Sequence, residues 1–277
     1  MRRHAAGGGA GQQAAVHADP QSRPHVHHRP AELVAGGALR AALRFLPAGD
    51  VALCVELGDE ISVEINTRVR ALEYLIQQKG LGGVVETVPS FRSLLVYYDP
   101  DQVGYDALCA ALAGVAAQAD TAVLPPARVV ELPCCYDPEL GPDLEQAAAR
   151  LQLSVPELVR IHSGAEYLVY FVGFTPGLPY MAGVPERIQL PRLATPRVKV
   201  PAGSVGLGGA QYCIYSVESP GGYWLLGRTP ARLYDPEAAE PTLLRAGDRV
   251  RMRPIARAEY DAILARVEAR AWQPVIA

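Results

Sequence analysis

Tyr167-Leu-Val-Tyr-Phe-Val-Gly-Phe-Thr-Pro-Gly-Leu-Pro-Tyr180 and Val198-Lys-Val-Pro-Ala-Gly-Ser-Val-Gly-Leu-Gly-Gly209 each join strand-forming residues to glycine and proline. Glycine permits φ > 0 and close backbone approach, and proline fixes bends, so both stretches read as rigid strands leading into shaped loops. Loops of that kind are where binding and catalysis concentrate. Around them, residues 168–174, 198–200, 211–217, 223–227 and 249–253 read as short strands between frequent turns. That pattern predicts a closed or sandwich-like β unit. Residues 257–272 follow as an amphipathic helix with Ile263, Val267 and Trp272 inward.

Further toward the N-terminus the periodicity changes. Residues 38–46 and 51–57 read as strands joined by a turn at 47–50. Ile61, Ile65, Val69, Leu72 and Ile76 recur at three- and four-residue steps, the apolar stripe of a helix stopped by Gly80. Strands at 84–88 and 93–98, a helix at 103–118 lined by Leu108, Leu112 and Val115, and a strand at 128–132 complete a β-α-β-β-α-β order. This predicts a ferredoxin-like α+β domain preceded by one extra strand. Residues 133–141 read as a linker, and 143–151 and 155–162 as short helices, the second opened by the capping box Ser154-Val-Pro-Glu157. That helix pair offers only Arg160 as a basic side chain between 153 and 163, so it is not a DNA-reading element. The expected layout is a tail at 1–37, the ferredoxin-like domain at 38–133, and a β-barrel domain with its flanking helices at 134–277.

Composition excludes some classes of partner. With 277 residues, a net charge of −3 and 20% charged residues, nothing points to nucleic acid or an acidic membrane surface. The apolar runs near Val51 and Val169 are too short to span a bilayer. Cys54, Cys109, Cys134, Cys135 and Cys213 show no C-x-x-C spacing; they read as buried small hydrophobes in a reducing compartment, and a cytoplasmic location is expected. The Gly- and Ala-rich start lacks the apolar core of a signal peptide. His17, His25, His27 and His28 read as part of a disordered tail rather than a metal-binding tract, and a translation start near Val34 is a further expectation.

Gly203-Ser-Val-Gly-Leu-Gly-Gly209 is not a P-loop, because no Lys follows and the next segment is β. A glycine nest of backbone amides can still cradle an anion; the competing reading is a set of tight turns with no ligand. Arg192, Arg197 and Lys199 precede the stretch and Arg228-Thr229 follows it. Gathered in one cleft they suit a carboxylate or phosphate; otherwise they form a solvated rim. His162 reads either as a proton shuttle or as a histidine at a helix C-terminus. Ser204 has no His beside it, Asp235 and Asp248 read as turn residues, and no metal-ligand spacing occurs.

Eight motifs in one order then carry a resemblance. They are Gly141-Pro-Asp-Leu144, His162-Ser163, Phe171-Val-Gly-Phe-Thr-Pro-Gly-Leu-Pro-Tyr180, Pro196-Arg197 with 200–209, Pro220-Gly-Gly-Tyr-Trp224, Gly227-Arg-Thr229, Tyr234-Asp-Pro236 and Arg245-Ala-Gly-Asp-Arg-Val250. The chain resembles the KipI/PxpB family, also labelled allophanate hydrolase subunit 1 or carboxyltransferase domain subdomain C/D. The resemblance spans roughly 40–255. It implies a small α+β domain followed by a cyclophilin-like β-barrel, and the role of the B-type subunit in a prokaryotic 5-oxoprolinase. With a close partner, the C-type subunit, and a LamB/YcsF-like A-type subunit, that enzyme opens 5-oxo-L-proline to L-glutamate using ATP with Mg. A lactam is a poor electrophile, so phosphorylating its oxygen needs electrostatic stabilisation and cationic clamps. On this reading Gly203, Ser204, Gly206, Gly208, Gly209, Gln211 and Thr229 bind substrate or phosphate. Arg197, Lys199 and Arg228 clamp it, and His162 and Tyr180 line the pocket.

Two positions depart from the family pattern. Tyr212-Cys213 stands where Thr-Gly is usual after Gln211, which narrows the expected pocket, and Leu178 replaces an aromatic. The same module occurs in urea amidolyases and in histidine-kinase inhibitors. The alternative readings are therefore a KipI-like regulator and an amide carboxyltransferase or hydrolase subunit. Urea amidolyases need biotin, and the chain has no biotinyl Met-Lys motif.

Overall fold

The computed structural model describes residues 43–277. The expectations for the tail, the four early histidines and most of the 38–46 strand lie outside those residues. The first strands are β1 (Arg44–Pro47) and β2 (Ala52–Glu56). Helix α1 (Val63–Lys79) begins at Ser62, whose Oγ accepts from the Ile65 amide at 3.1 Å, and ends at Gly80 with φ 57°. Strands β3 (Val84–Pro89) and β4 (Ser93–Tyr98) and helix α2 (Tyr105–Ala116) follow. Strand alternation turns Leu53, Val55, Leu94, Val96 and Tyr98 toward the stripe Val69, Leu72 and Ile76 of α1 and toward Leu108, Leu112 and Val115 of α2. One apolar core between sheet and helices results.

That sheet corrects the ferredoxin-like expectation. Its order is β1-β2-β4-β3, so the extra strand β1 holds the edge position beside β2 that the last strand of a β-α-β-β-α-β unit would take. The last strand, β5 (Val129–Cys135), belongs to the second sheet, and it runs through residues expected to be linker. The reason lies in its side chains. Val130, Leu132 and Cys134 face the second core, Cys135 faces outward onto a further cluster, and β5 finds hydrogen-bonding neighbours on both sides there.

The second sheet comprises β5, β6 (Glu166–Val172), β7 (Pro179–Ala182), β9 (Ser204–Gly208), β10 (Gln211–Ile214), β12 (Trp224–Arg228) and β13 (Arg249–Ile255). They run in the order β12-β9-β10-β7-β6-β13-β5, and the Arg228–Cys135 pairing of β12 with β5 closes seven strands into a barrel. Only β5 and β13 run parallel. Helices α3 (Leu144–Arg150) and α4 (Val155–Ser163) lay Leu144, Ala147 and Leu158 on the barrel core. The predicted capping box is present at Ser154 and Glu157. Strands β8 (Arg197–Val200) and β11 (Ser219–Gly221) pair outside the barrel. Helix α5 (Arg257–Glu268) packs Tyr260, Ile263 and Val267 on Cys135 and Ile255, and β14 (Val275–Ile276) adds to β5.

The glycine-rich segment 203–209 is the largest departure from the sequence reading. It is not a loop but, over Ser204–Gly208, the buried strand β9, paired on both sides by β10 and β12. Its glycines make room for neighbouring rings. A Cβ on Gly208 would sit 2.2 Å from Tyr223 Cδ1, and one on Gly206 would sit 3.1 Å from Tyr215 Cε2.

Asn66 joins the two sheets. It is 0% exposed, and its Nδ2 donates toward the carbonyls of Ser90 at 3.2 Å and Phe91 at 3.4 Å, and of Tyr170 in β6 at 3.3 Å. The Phe91 ring beside it meets Phe171 edge-on at 4.8 Å and Tyr170 and Tyr180 at 5.8 Å. A buried carbonyl that loses its donor costs about 1–3 kcal/mol. Asn66→Ala is therefore expected to lower unfolding free energy by about 2–3 kcal/mol. Gln78→Ala, exposed on the same helix, should change it by less than about 0.5 kcal/mol in the same urea titration.

Candidate functional site

A cleft of about 660 Å³ opens along this seam. One wall is Ile61, Ser62, Val63 and Phe91; the other is Tyr170, Met181, Val184, Gly208, Gly209 and Gln211, with Arg192 at the edge. The apolar residues come from the start of α1, the β3–β4 turn, β6 and the end of β7; Gln211 comes from the start of β10 and Arg192 from the segment before β8. Local sequence explains the arrangement. Gly209 takes φ 66° to make that turn, and Gly183, φ 100°, lies against the Glu166 carbonyl where a Cβ would sit 2.6 Å away.

Arg192, Gln211 and Tyr223 form a closed triangle at the polar end. Arg192 Nη2 donates to Gln211 Oε1 at 2.7 Å and lies 2.8 Å from the Tyr223 hydroxyl, which itself donates to Gln211 Oε1 at 2.8 Å. The guanidinium also lies over the Tyr223 ring, 4.7 Å from its centre. Burial pushes the Tyr223 phenol pKa up, so it stays a neutral donor. Among the described residues no carboxylate lies within ion-pair distance of Arg192. The cleft thus offers an oriented, unpaired guanidinium above a largely apolar floor, suited to a small molecule with a carboxylate at one end.

The other predicted residues are placed differently. Gly208, Gly209 and Gln211 line the cleft, and Tyr180 supports it, stacked on Phe171 at 4.8 Å. Arg197 does not face it: Nη2 pairs with the buried Asp143 at 2.5 Å, and Asp143 Oδ2 accepts the Leu225 amide at 2.8 Å. Lys199 is 76% exposed and pairs with Glu218 at 3.1 Å. Arg228 sits at the barrel closure with its Nε buried, and Thr229 is buried with Oγ1 accepting from the Ala231 amide at 3.2 Å. Ser204 is fully buried on β9. The expected clamp of Arg197, Lys199 and Arg228 is therefore not assembled, because each meets a partner or a barrel wall of its own. The cation that does face the cleft, Arg192, was visible in sequence only as one member of a basic group. Tyr223 lay unselected within Pro220-Gly-Gly-Tyr-Trp224.

The glycine segment does not fit a nucleotide phosphate. The amides of Gly203, Ser204 and Gly209 donate to the carbonyls of Tyr215, Pro201 and Leu190, and the strand between them is paired on both sides. Among the described residues no group of three or more His, Cys, Asp and Glu is placed to hold a metal ion. Tyr212 points away from the cleft into the barrel, its ring stacked on Tyr167 at 4.2 Å, while Cys213 faces the cluster of Tyr215 and Tyr223. The expectation that this pair narrows the pocket is thereby corrected: alternation turns Tyr212 into the barrel core and Cys213 into the cluster behind Tyr223, and neither lines the cleft.

His162 is also inside the barrel rather than in a pocket. It is 0% exposed, and its Nδ1 is 2.6 Å from the Tyr136 hydroxyl. Burial pushes its pKa from 6.5 down to about 3, so it stays neutral where the protein is folded. Because the folded value lies below the unfolded one, this contribution to stability is complete above pH 6.5 and is lost as pH falls toward 3. Between pH 7 and 5 the loss from His162 alone should be about 2 kcal/mol. Urea unfolding at the two pH values checks this; His162→Gln should show a correspondingly smaller difference, and equal differences would contradict it.

Residues 43–244 match the family described as the carboxyltransferase domain, subdomain C and D. The chain is 39% identical to the B-type subunit of the Bacillus subtilis 5-oxoprolinase over 224 residues, covering 77% of this chain and 93% of that relative. It superposes on the crystal structure of TTHA0988 with a TM-score of 0.65 at 38% identity, covering 74% of this chain and 40% of that longer one. The urea amidolyase of K. lactis shares the fold, with a TM-score of 0.74 at 22% identity over 92% of this chain and 17% of that one. No helix among the described residues is long and apolar enough to cross a membrane.

Proposed function

The chain belongs to the carboxyltransferase-domain family, subdomains C and D, and we propose that it works as the B-type subunit of an ATP-dependent 5-oxoprolinase that opens 5-oxo-L-proline to L-glutamate. In that enzyme it holds the substrate. The single observation that carries this role is the unpaired Arg192 guanidinium, fixed by Tyr223 and Gln211 at the edge of the seam cleft. 5-Oxoproline is a small, flat lactam with one carboxylate. Its ring matches the accessible apolar side of Ile61, Val63 and Phe91, and its carboxylate matches the guanidinium. The strand-paired glycines leave this chain without a phosphate cradle in that segment, so ATP with Mg belongs with the partner subunits in this proposal. Those partners are a C-type subunit that closes the cleft and a LamB/YcsF-like A-type subunit. The assembly works in the cytoplasm on this reading.

The test is glutamate release from 5-oxoproline with ATP and Mg²⁺, using this chain purified with its genomic neighbours. Activity should vanish when the chain is left out. Removing a charge-assisted hydrogen bond costs about 1.5–3 kcal/mol. Arg192→Gln should therefore raise KM by roughly tenfold to a hundredfold with kcat within about threefold, and Arg192→Lys should recover part of the loss. Lys199→Ala should leave both constants unchanged. An unaltered KM in Arg192→Gln would contradict the assignment.

A further inference from the structure

A second cavity, about 250 Å³, lies on a different part of the seam. Helix α1 contributes Arg70, Glu73, Tyr74 and Gln77; the segment 124–128 contributes Arg128; the turn at 245–248 contributes Arg245, Gly247 and Asp248. Its charges are not balanced against one another. Arg128 is committed to Asp248, with Nη2 at 2.5 Å and Nε at 2.9 Å from the two carboxylate oxygens. Asp248 is further occupied by the Arg245 amide at 2.9 Å, which leaves the Arg245 side chain 61% exposed and only 3.8 Å from an oxygen already in use.

Arg70 is in the more unusual position. Its guanidinium lies against the backbone of Gly247, where a Cβ would meet Nη1 at 2.3 Å, and that glycine has φ 95°. Among the described residues its Nε is buried without a partner and its one hydrogen bond is a long one, 3.4 Å, to Thr67 Oγ1. No carboxylate among the described residues is within ion-pair distance. Burial, followed by repulsion from Arg249, pushes its pKa down, the direction for a cation short of a counter-ion. Desolvating a guanidinium without an anion is costly, and a ligand supplying two negative charges would offset that cost.

We propose that this cavity is a second ligand site, for a compact, doubly charged oxyanion of the phosphate type held between Arg70 and Arg245. Arg70 supplies the buried, preorganised end and Arg245 closes from solvent. The cavity has room for a phosphate group and is smaller than the seam cleft that takes substrate. The site is independent of the proposed activity, since it shares no lining residue with that cleft.

Glu73 gives the site a pH dependence. Burial outweighs the Thr87 hydrogen bond and the Arg70 charge and raises its carboxyl pKa to about 6. The groups around it are Arg70 and Tyr74 on α1, Thr87 on β3, Arg128 on the 124–128 segment, Arg245 and Asp248 on the turn, and Arg249 on β13, which acts on Arg70. Protonation of Glu73 removes a negative charge from the cavity, so a dianion binds more tightly as pH falls through about 6.

Sulfate is a suitable probe because it stays a dianion across this range. Calorimetric titration of the full chain with sodium sulfate, at constant ionic strength, should show one site whose affinity rises between pH 7.5 and 5.5. Arg70→Gln should weaken it tenfold or more and Arg245→Gln three- to tenfold, while Arg192→Gln should leave it intact and Glu73→Gln should remove the pH dependence. Because Arg245 is exposed, its variant remains decisive should Arg70→Gln fold poorly. Competition then separates the sources: displacement by inorganic phosphate alone identifies a free ion, and tighter displacement by AMP identifies a phosphate carried on a small molecule. No sulfate binding, or binding indifferent to both Arg70→Gln and Arg245→Gln, would overturn the proposal.

Discussion

One buried side-chain amide holds the two sheets in their relative positions. Asn66 reaches from α1 to the carbonyls of Ser90 and Phe91 on its own sheet and of Tyr170 on the barrel. A buried amide NH₂ has to find acceptors or forfeit its hydration, and the acceptors of Asn66 Nδ2 belong to both halves of the molecule, whereas its Oδ1 is buried without a partner among the described residues. That requirement is directional. It fixes where the Phe91 ring enters the group formed by Tyr170, Phe171 and Tyr180, and therefore where the residues before α1 face β7 and the β9–β10 turn. The seam cleft lined by Phe91 and Tyr170 inherits its shape from it.

The barrel supplies rigidity, and its glycine-rich strand is central to how the polar end of the cleft is built. With Cβ atoms absent at Gly206 and Gly208, the rings of Tyr215 and Tyr223 settle against the strand backbone. Tyr223 then carries Arg192 on its face and fixes it through its hydroxyl. The glycines act through the ring they admit rather than through amides offered to a ligand. This is why a stretch that looks like a phosphate loop serves to position an arginine.

Much of the local structure was legible in the residues. The three- and four-residue recurrence of Val69, Leu72 and Ile76, the stop at Gly80, and the Ser154–Glu157 capping box are short-range signals, and each corresponds to the observed element. The identity of the strand beside β2 was not legible, because β1 and β5 are both plausible neighbours until the barrel takes β5. Strand β9 was misread because alternation is carried by side chains, and Gly206 and Gly208 have none to show. Strand β7 was missed because it begins at Pro179 and runs only to Ala182. Among the arginines, residue type could not distinguish Arg192 from Arg197 or Arg228. The difference is made by Asp143 and by the barrel closure, both distant in sequence.

The seam cleft is the place where substrate is held on the proposed reading. A structure of the assembled complex with 5-oxoproline bound tests that most directly. It should show the lactam ring on Ile61, Val63 and Phe91 with its carboxylate on the Arg192 guanidinium. A ring bound entirely on one of the other subunits, with Arg192 still free, would contradict it.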